Sequence, residues 1–400
     1  MNRIFLAAIL AAAALPLQAA ELQFVESVPA ETVYGSSLTA RPQAVWLEMI
    51  SSSSKTLDFE QFYIAHEEGQ ALEPVLAAVE AAVKRGVKVR FLVDSVMMKE
   101  SSKVLPRLAE AGVKTRTVNF KKAVGGVQHA KFFIADGKEV FMGSQNFDWR
   151  SLVQIHEVGL RIKSAGAAAD FGRIFEADWE LAGGADPKKL FSKKAKGAIT
   201  AKAPEAASLN GAAVTYSLAF GPAGAIPKGF DAELDRLLAL IREAKKTVRG
   251  QVMTYALSEY GSKRWAELDS AFRLAAARGV KVELVFADWA MGGKADRDIK
   301  ALAKTDNISV KISVIPQSSA GFIPFARVEH CKYLTADGEA SFVSTSNWGP
   351  GYFHNTRGAA VLIKGAAGAA VLEDIFAKTW DGPYVQPVDP LMDYQPVKKG

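Results

Sequence analysis

Cysteine is nearly absent. Cys331 is the single one in 400 residues, so no intrachain disulfide can form, and a chain able to bury a large core does not need one. Metal-binding signatures are absent as well. There is no His-Glu-x-x-His, no cysteine pair and no carboxylate cluster of ligand spacing, so neither a metal nor another cofactor is expected. Long apolar runs are missing: the longest, Ile4 to Leu15, is too short to span a bilayer. With Met1-Asn2-Arg3 before it and Pro16-Leu17-Gln18-Ala19-Ala20 after it, that run reads as a secretory signal peptide over residues 1–20. The expectation is cleavage near Ala19 or Ala20 and a periplasmic or extracellular product with no transmembrane segment. No amphipathic helix or long apolar loop is suited to docking on a membrane. Net charge is only +6, which favours anionic substrates without indicating nucleic acid by itself.

What is present is a repeat. Residues 128–146 read Gln-His-Ala-Lys-Phe-Phe-Ile-Ala-Asp-Gly-Lys-Glu-Val-Phe-Met-Gly-Ser-Gln-Asn, and the pattern returns 201 positions later, His129 to His330, Lys131 to Lys332, Asp136 to Asp337, Asn146 to Asn347. Each copy predicts a hairpin. A two-residue loop at Gly137-Lys138 sets Lys131 across from Ser144 and His129 across from Asn146, gathering four polar side chains on one face. The second copy likewise pairs His330 with Asn347. A lone His-x-Lys carries almost no information; two copies with matched spacing carry a great deal.

The flanking chain repeats too. Strands are expected at 56–64, 87–94 and 113–120, with helices at 41–52, 72–85 and 103–111 between them. A strand at 155–162 and a helix at 167–181 follow the first hairpin. The second half replays this with helices at 231–245, 265–278 and 295–304, strands at 247–257, 280–287 and 308–315, then a strand at 359–364 and a helix at 366–379. Gly86 and Gly279 stop corresponding helices. This is an internal duplication of one mixed-sheet α/β/α unit, with lobes at 21–182 and 212–385 and a tail at 386–400. The Ala-, Lys-, Gly- and Pro-rich stretch 183–211, holding Lys188, Lys189, Lys193, Lys194, Lys196 and Lys202, reads as a solvated linker, with an electrostatic lure for phosphates as the alternative. A pseudo-twofold axis would bring both His-Lys-Asn clusters to one cleft.

Two imidazoles, two ammonium groups and two amides around one point suit a phosphodiester. The lysines and asparagines neutralise non-bridging oxygens, one neutral histidine attacks phosphorus, and the other protonates the leaving oxygen and then activates water. The expected fate is a covalent phosphohistidine that water hydrolyses. Asp136 and Asp337 fall off the lysine face and read as structural residues of the hairpins. Trp149 and Trp348 follow the two asparagines and could stack bases or pack the core. Ser144 and Thr345 are weaker substrate-binding candidates. His66, His156 and His354 read as ordinary histidines, and Cys331 as a packing residue on the strand face opposite its neighbours.

With these residues in place the chain resembles the phospholipase D superfamily, whose mark is two His-x-Lys-x4-Asp copies, each leading to a Gly-Ser-x-Asn-type segment. Phe147-Asp148-Trp149-Arg150-Ser151-Leu152 is similar to the animal endolysosomal branch. So are Pro324-Phe325-Ala326-Arg327-Val328-x-His330-x-Lys332-Tyr333 and Thr345-Ser346-Asn347-Trp348. The resemblance runs over about residues 30–385 and departs from the pattern at Ser344 and Thr345, where the first copy has Gly143 and Ser144. It implies a duplicated fold with one shared active site and 5′-exonuclease action on single-stranded DNA or RNA. The alternatives are a phospholipase D or phosphatidyltransferase and, outside enzymes, a binder of anionic polymers; no obligate protein partner is implied. Carried over, His129 and His330 are nucleophile and general acid/base, Lys131 and Lys332 grip the phosphate, and Asn146 and Asn347 complete the cradle. Glu157 matches the carboxylate that orients a histidine, here expected to be His129. Its counterpart, Gly358, cannot serve, with Asn355 and Glu329 as distant substitutes, and that asymmetry favours His129 as the nucleophile.

Overall fold

The computed structural model describes residues 19–258, 264–293 and 295–400. The expected signal peptide, up to residue 18, lies outside the described residues. In the first lobe, alternate residues Leu57 and Phe59 of strand Thr56–Gln61 turn inward. The helix Glu73–Lys84 covers them with a stripe of Val75, Leu76, Val79 and Ala82. That helix ends at Gly86, whose φ of 92° permits the reversal into strand Lys88–Asp94, parallel to the first. The second lobe repeats each step with Thr247–Val252, Glu267–Ala277, Gly279 at φ 88° and Lys281–Ala287.

Each lobe carries a mixed sheet. Three parallel strands, Lys114–Val118, Lys88–Asp94 and Thr56–Gln61, continue into antiparallel Phe132–Ala135, Glu139–Gly143, Glu157–Lys163 and Ala20–Ser27. The other lobe runs Ile308–Ser313, Lys281–Ala287, Thr247–Val252, then Lys332–Ala336, Ala340–Ser344, Gly358–Lys364 and Ala212–Gly221. Helices Ala165–Ala182 and Ala366–Trp380 share one apolar core, where Phe171, Ile174 and Phe175 join Val371, Leu372 and Ile375. The α/β/α architecture of the repeat is as expected. The shared core fixes one lobe on the other.

Two expectations need correction. The stretch 183–211 is not a solvated linker: it forms helix Pro187–Ser192, with Leu190 and Phe191 buried, and strand Glu205–Leu209. That strand pairs with Ala20–Ser27 on one side and Ala212–Gly221 on the other, joining the two sheets into one ladder. Its apolar residues are too sparse to show a period, and the two flanking strand edges supply the order instead.

The hairpin register is also one residue off. Ala135 pairs with Glu139 and Ala336 with Ala340, so the loops are Asp136-Gly137-Lys138 and Asp337-Gly338-Glu339. Both Asp136 and Gly137 adopt positive φ, 54° and 63°, which suits a primed turn followed by one extra residue. His129 therefore does not face Asn146 in a ladder, nor His330 Asn347. The regular strands end at Phe132 and Gly143, and at Lys332 and Ser344; Lys332 is a strand terminus, and His129, Lys131, Asn146, His330 and Asn347 sit on the irregular chain beyond.

Candidate active site

Both aspartates of the repeat work at a distance from the cleft. Asp136 accepts backbone N–H bonds from Ser54, Lys55 and Thr56 at 2.7–3.2 Å, and Asp337 does the same for Lys245, Lys246 and Thr247. Each pins the turn entering the first of the three parallel strands of its lobe. Burial alone would raise the Asp136 carboxyl, but the donated N–H bonds outweigh it and hold it at about 2.

The cleft opens where the two lobes meet, a cavity of about 250 Å³ whose wall includes His129, His330, Asn146 and Asn347. Phe62, Tyr63, Trp289, Phe325 and Tyr352 give it aromatic sides, and Arg150 a cationic edge. Tyr352 meets the His129 ring edge-on at 5.1 Å, and Phe62 lies 4.8 Å from it. Nothing in the repeat marks these aromatics, which come from four other segments. Asn146 Oδ1 and both amide atoms of Asn347 are buried without a hydrogen-bond partner. Amide groups left empty in a cavity wall are placed to bind something.

Lys131 and Lys332 are fully or almost fully buried beside the imidazoles. Each ammonium donates to the main-chain oxygen of the histidine two residues back, at 2.5 Å and 2.8 Å. Burial pulls Lys131 well below the ordinary lysine range and Lys332 down to about 7. Burial, followed by the charge of both lysines, drives His129 and His330 far toward the neutral form.

The histidines differ in what holds Nδ1. His129 Nδ1 lies 2.9 Å from the Thr345 carbonyl oxygen, an acceptor only, so the ring must carry its proton there and leave Nε2 with a free lone pair. His330 Nδ1 makes a short hydrogen bond to Glu157 Oε1. Glu157 thus orients His330 and not His129 as expected. The repeat explains the crossing: residues 156–157 lie beside 329–330, joined by a bridge at His156 and Glu329 with His330 N donating to the His156 oxygen. The place equivalent to Glu157 across from His129 is Gly358, and the Thr345 carbonyl takes over. Neither Asn355 nor Glu329 substitutes; Glu329 binds His156 Nδ1 at 2.7 Å.

Several weaker expectations are overturned. Ser144 Oγ accepts from Val158 N, and Thr345 Oγ1 from Ala359 N, so both hydroxyls are spent on pinning chain turns. Trp348 is 2% exposed and packs on Phe272 and Phe286, while Trp149 packs on the core of the first lobe; neither lines the cavity. Cys331 is buried, as read from its strand face. Among the described residues, the ligand atoms of His156, Glu329 and Cys331 lie within 4.8 Å of one another. Their donors are engaged within the cluster, and Glu26 takes the other His156 nitrogen at 3.2 Å. Burial works against a charge on His156, but the surrounding acidic groups win and hold it protonated.

This geometry has relatives. Residues 46–179 and 237–380 match the family model described as cardiolipin synthase, PLD-like domain. The chain is 31% identical to the 5'-3' exonuclease PLD3 of Bos taurus over 93% of its own length and 82% of the relative's. It is 30% identical to Phospholipase D Z of Dictyostelium discoideum, covering 92% and 90%. With the virion nicking-joining enzyme of Vaccinia virus (strain Western Reserve) it shares 32% identity, covering 89% and 86%. Among solved structures, the phosphatidylserine synthase of Haemophilus influenzae Rd KW20 superposes with a TM-score of 0.61 at 14% identity, over 86% of this chain and 85% of that one. A likeness at that identity speaks for the fold. Two polar clusters built by one repeat and closed over one cavity, together with these relatives across almost the whole chain, place the protein in the phospholipase D superfamily of phosphodiesterases, beside its PLD3-like branch.

Proposed function

We propose that the protein is an exported 5′-exonuclease-like phosphodiesterase acting on single-stranded DNA or RNA through a covalent phosphohistidine. The observation that carries the mechanism is the complementary state of the two rings at one cavity. His129, its Nδ1 proton given to a carbonyl, presents a lone pair at Nε2. Burial pushes the Glu157 carboxyl up to about 8, so at neutral pH the Glu157–His330 pair holds one extra proton. Whichever partner carries it, Nε2 of His330 bears a hydrogen.

His129 Nε2 attacks phosphorus while His330 Nε2 gives its proton to the leaving alkoxide. Glu157 refills the ring through Nδ1, leaving a carboxylate and a free Nε2 lone pair. That lone pair takes a proton from water, the hydroxide displaces His129, and the proton returns to the pair. Lys131, Lys332 and the open amides of Asn146 and Asn347 stabilise charge on the non-bridging oxygens, the task a metal performs elsewhere. Aromatic walls suit a terminal nucleotide, since bases stack on them without sequence preference. The relatives named as an exonuclease and a nicking-joining enzyme support this substrate class.

The test is turnover in EDTA of 5′-labelled single-stranded oligonucleotide beside phosphatidylcholine. Stepwise release of nucleotides supports the reading. Cleavage of the lipid alone contradicts the substrate, and tight binding of both without product contradicts catalysis.

A further inference from the structure

Away from the cavity, a second concave surface lies between the lobes, a groove of about 550 Å³. Its walls come from helix Phe120–Val124, helix Pro187–Ser192, the turn around Pro222 to Lys228 and the end of helix Pro350–His354. Lys188, Lys228 and His354 stand in these walls over an apolar floor of Phe191, Pro222 and Val124. Lys121 and Lys122 project from the same first helix, and these four lysines and His354 are all exposed. Among the described residues none of the four lysines has a carboxylate partner within ion-pair distance, so their charge is free to meet an anion in the groove. Asp186, the carboxylate nearest Lys188 in the chain, is occupied in accepting from Lys188 N at 2.9 Å.

The groove adjoins the cavity through one short helix. Tyr352 packs on His129 in the cavity wall, and His354, two residues on, belongs to the groove. We propose that this groove is a second binding site, which carries the part of a single-stranded substrate downstream of the scissile phosphate. Its phosphates lie against Lys188, Lys228, Lys121 and Lys122, and its unpaired bases lie on the apolar floor. The assignment rests on the nuclease reading above and extends it. Unpaired lysines over a phosphate backbone supply sequence-independent, salt-sensitive affinity. Concavity and an apolar floor favour a single strand over a flat lipid surface.

The experiment compares wild type with the double variant Lys188→Glu/Lys228→Glu on three substrates. Expected results are a loss of about tenfold or more in kcat/KM on a 20-mer and unchanged turnover of a dinucleotide and of bis(p-nitrophenyl) phosphate. The salt dependence on the 20-mer should be shallower by ~1.4 in the log–log slope, two phosphate contacts at ~0.7 each. Equal effects on short and long substrates, or none on the 20-mer, would overturn the track. Fluorescence anisotropy of a labelled (dT)20 with His129→Ala, with and without the two charge reversals, reads the groove without turnover. Should the wild type cut no nucleic acid while the reversals still weaken (dT)20 binding, the groove stands and the nuclease reading falls. Binding to phosphatidylglycerol vesicles that the reversals abolish, with (dT)20 binding unmoved, would overturn the groove as a nucleic-acid path.

Discussion

The two half-sites are made from one repeat, yet they hold their histidines differently. His129 leans on a main-chain oxygen of the opposite lobe, and His330 on a buried carboxyl of the opposite lobe. The difference traces to one pair of equivalent positions, Glu157 and Gly358. A Cβ on Gly358 would come within 2.2 Å of Glu233 Oε2 and 2.3 Å of Ser346 Oγ, so that position has no room for an acidic side chain as packed. Duplication supplies symmetry, whereas a substitution step needs an attacking base and a proton donor, which are unlike. A single missing carboxylate leaves the two imidazoles with unlike partners, and the proposed roles follow from that difference.

The comparison breaks most visibly at the histidines. His129→Ala should lower turnover by ~10⁴-fold or more on every substrate, because no bond to phosphorus can form. In the single-turnover burst of leaving group, which reads adduct formation alone, His330→Ala should cost ~10²–10⁴-fold on an oligonucleotide, whose alkoxide needs a proton, and much less on bis(p-nitrophenyl) phosphate, whose phenolate leaves unaided; steady-state turnover of both falls because water is no longer activated. Equal losses in the burst on both substrates would remove the acid role.

Next in size is Glu157→Gln, expected to cost ~10–100-fold in kcat, the range for an orienting partner one bond removed from the reacting group. Since the folded carboxyl titrates at about 8, wild-type activity should fall as pH rises through that value and Nε2 of His330 loses its hydrogen. The variant should lack that alkaline limb. An unchanged pH profile would detach Glu157 from proton transfer.

A smaller effect concerns the buried lysines. Burial holds Lys332 at about 7, and an anion beside it favours the charged form, so binding should draw in a proton. Inhibition by diethyl phosphate, a monoanion throughout, should weaken as pH rises above 7. A flat inhibition constant from pH 6 to 9 would contradict the cradle. Smallest for catalysis, Asp136→Ala should destabilise the fold by ~0.5–1.5 kcal/mol, the net worth of hydrogen bonds whose donors water can reach, and leave kcat of the folded enzyme within about twofold. That carboxylate is held low, so its contribution is complete above the ordinary carboxyl range and disappears as pH falls toward 2. Urea titration beside active-site-normalised rates reads both.

Much of this was legible in the chain because the repeat encodes it twice. The helices and parallel strands follow apolar periods and glycine stops such as Gly86 and Gly279, and the six polar residues follow fixed spacing. Three things were not legible. Strand Glu205–Leu209 owes its order to two neighbouring edges and carries little pattern of its own. The register slip came from Asp136, whose side chain turns away to cap residues 54–56 and leaves its backbone in a left-handed turn. Sequence distance points Glu157 to the histidine of its own lobe and conceals that the lobes exchange partners. A crossing between 156–157 and 329–330 is a tertiary fact. The aromatic wall shares that character, since Phe62, Trp289 and Tyr352 are far apart in sequence and meet only in the closed molecule.

The division of labour between the half-sites is tested most directly by acid-sensitive phosphopeptide mapping of enzyme quenched during turnover of an oligonucleotide. The account predicts the phosphoryl-linked adduct on the peptide containing His129, accumulating further in His330→Ala given bis(p-nitrophenyl) phosphate, whose leaving group needs no acid. An adduct on the His330 peptide, or one that persists in His129→Ala, would contradict it.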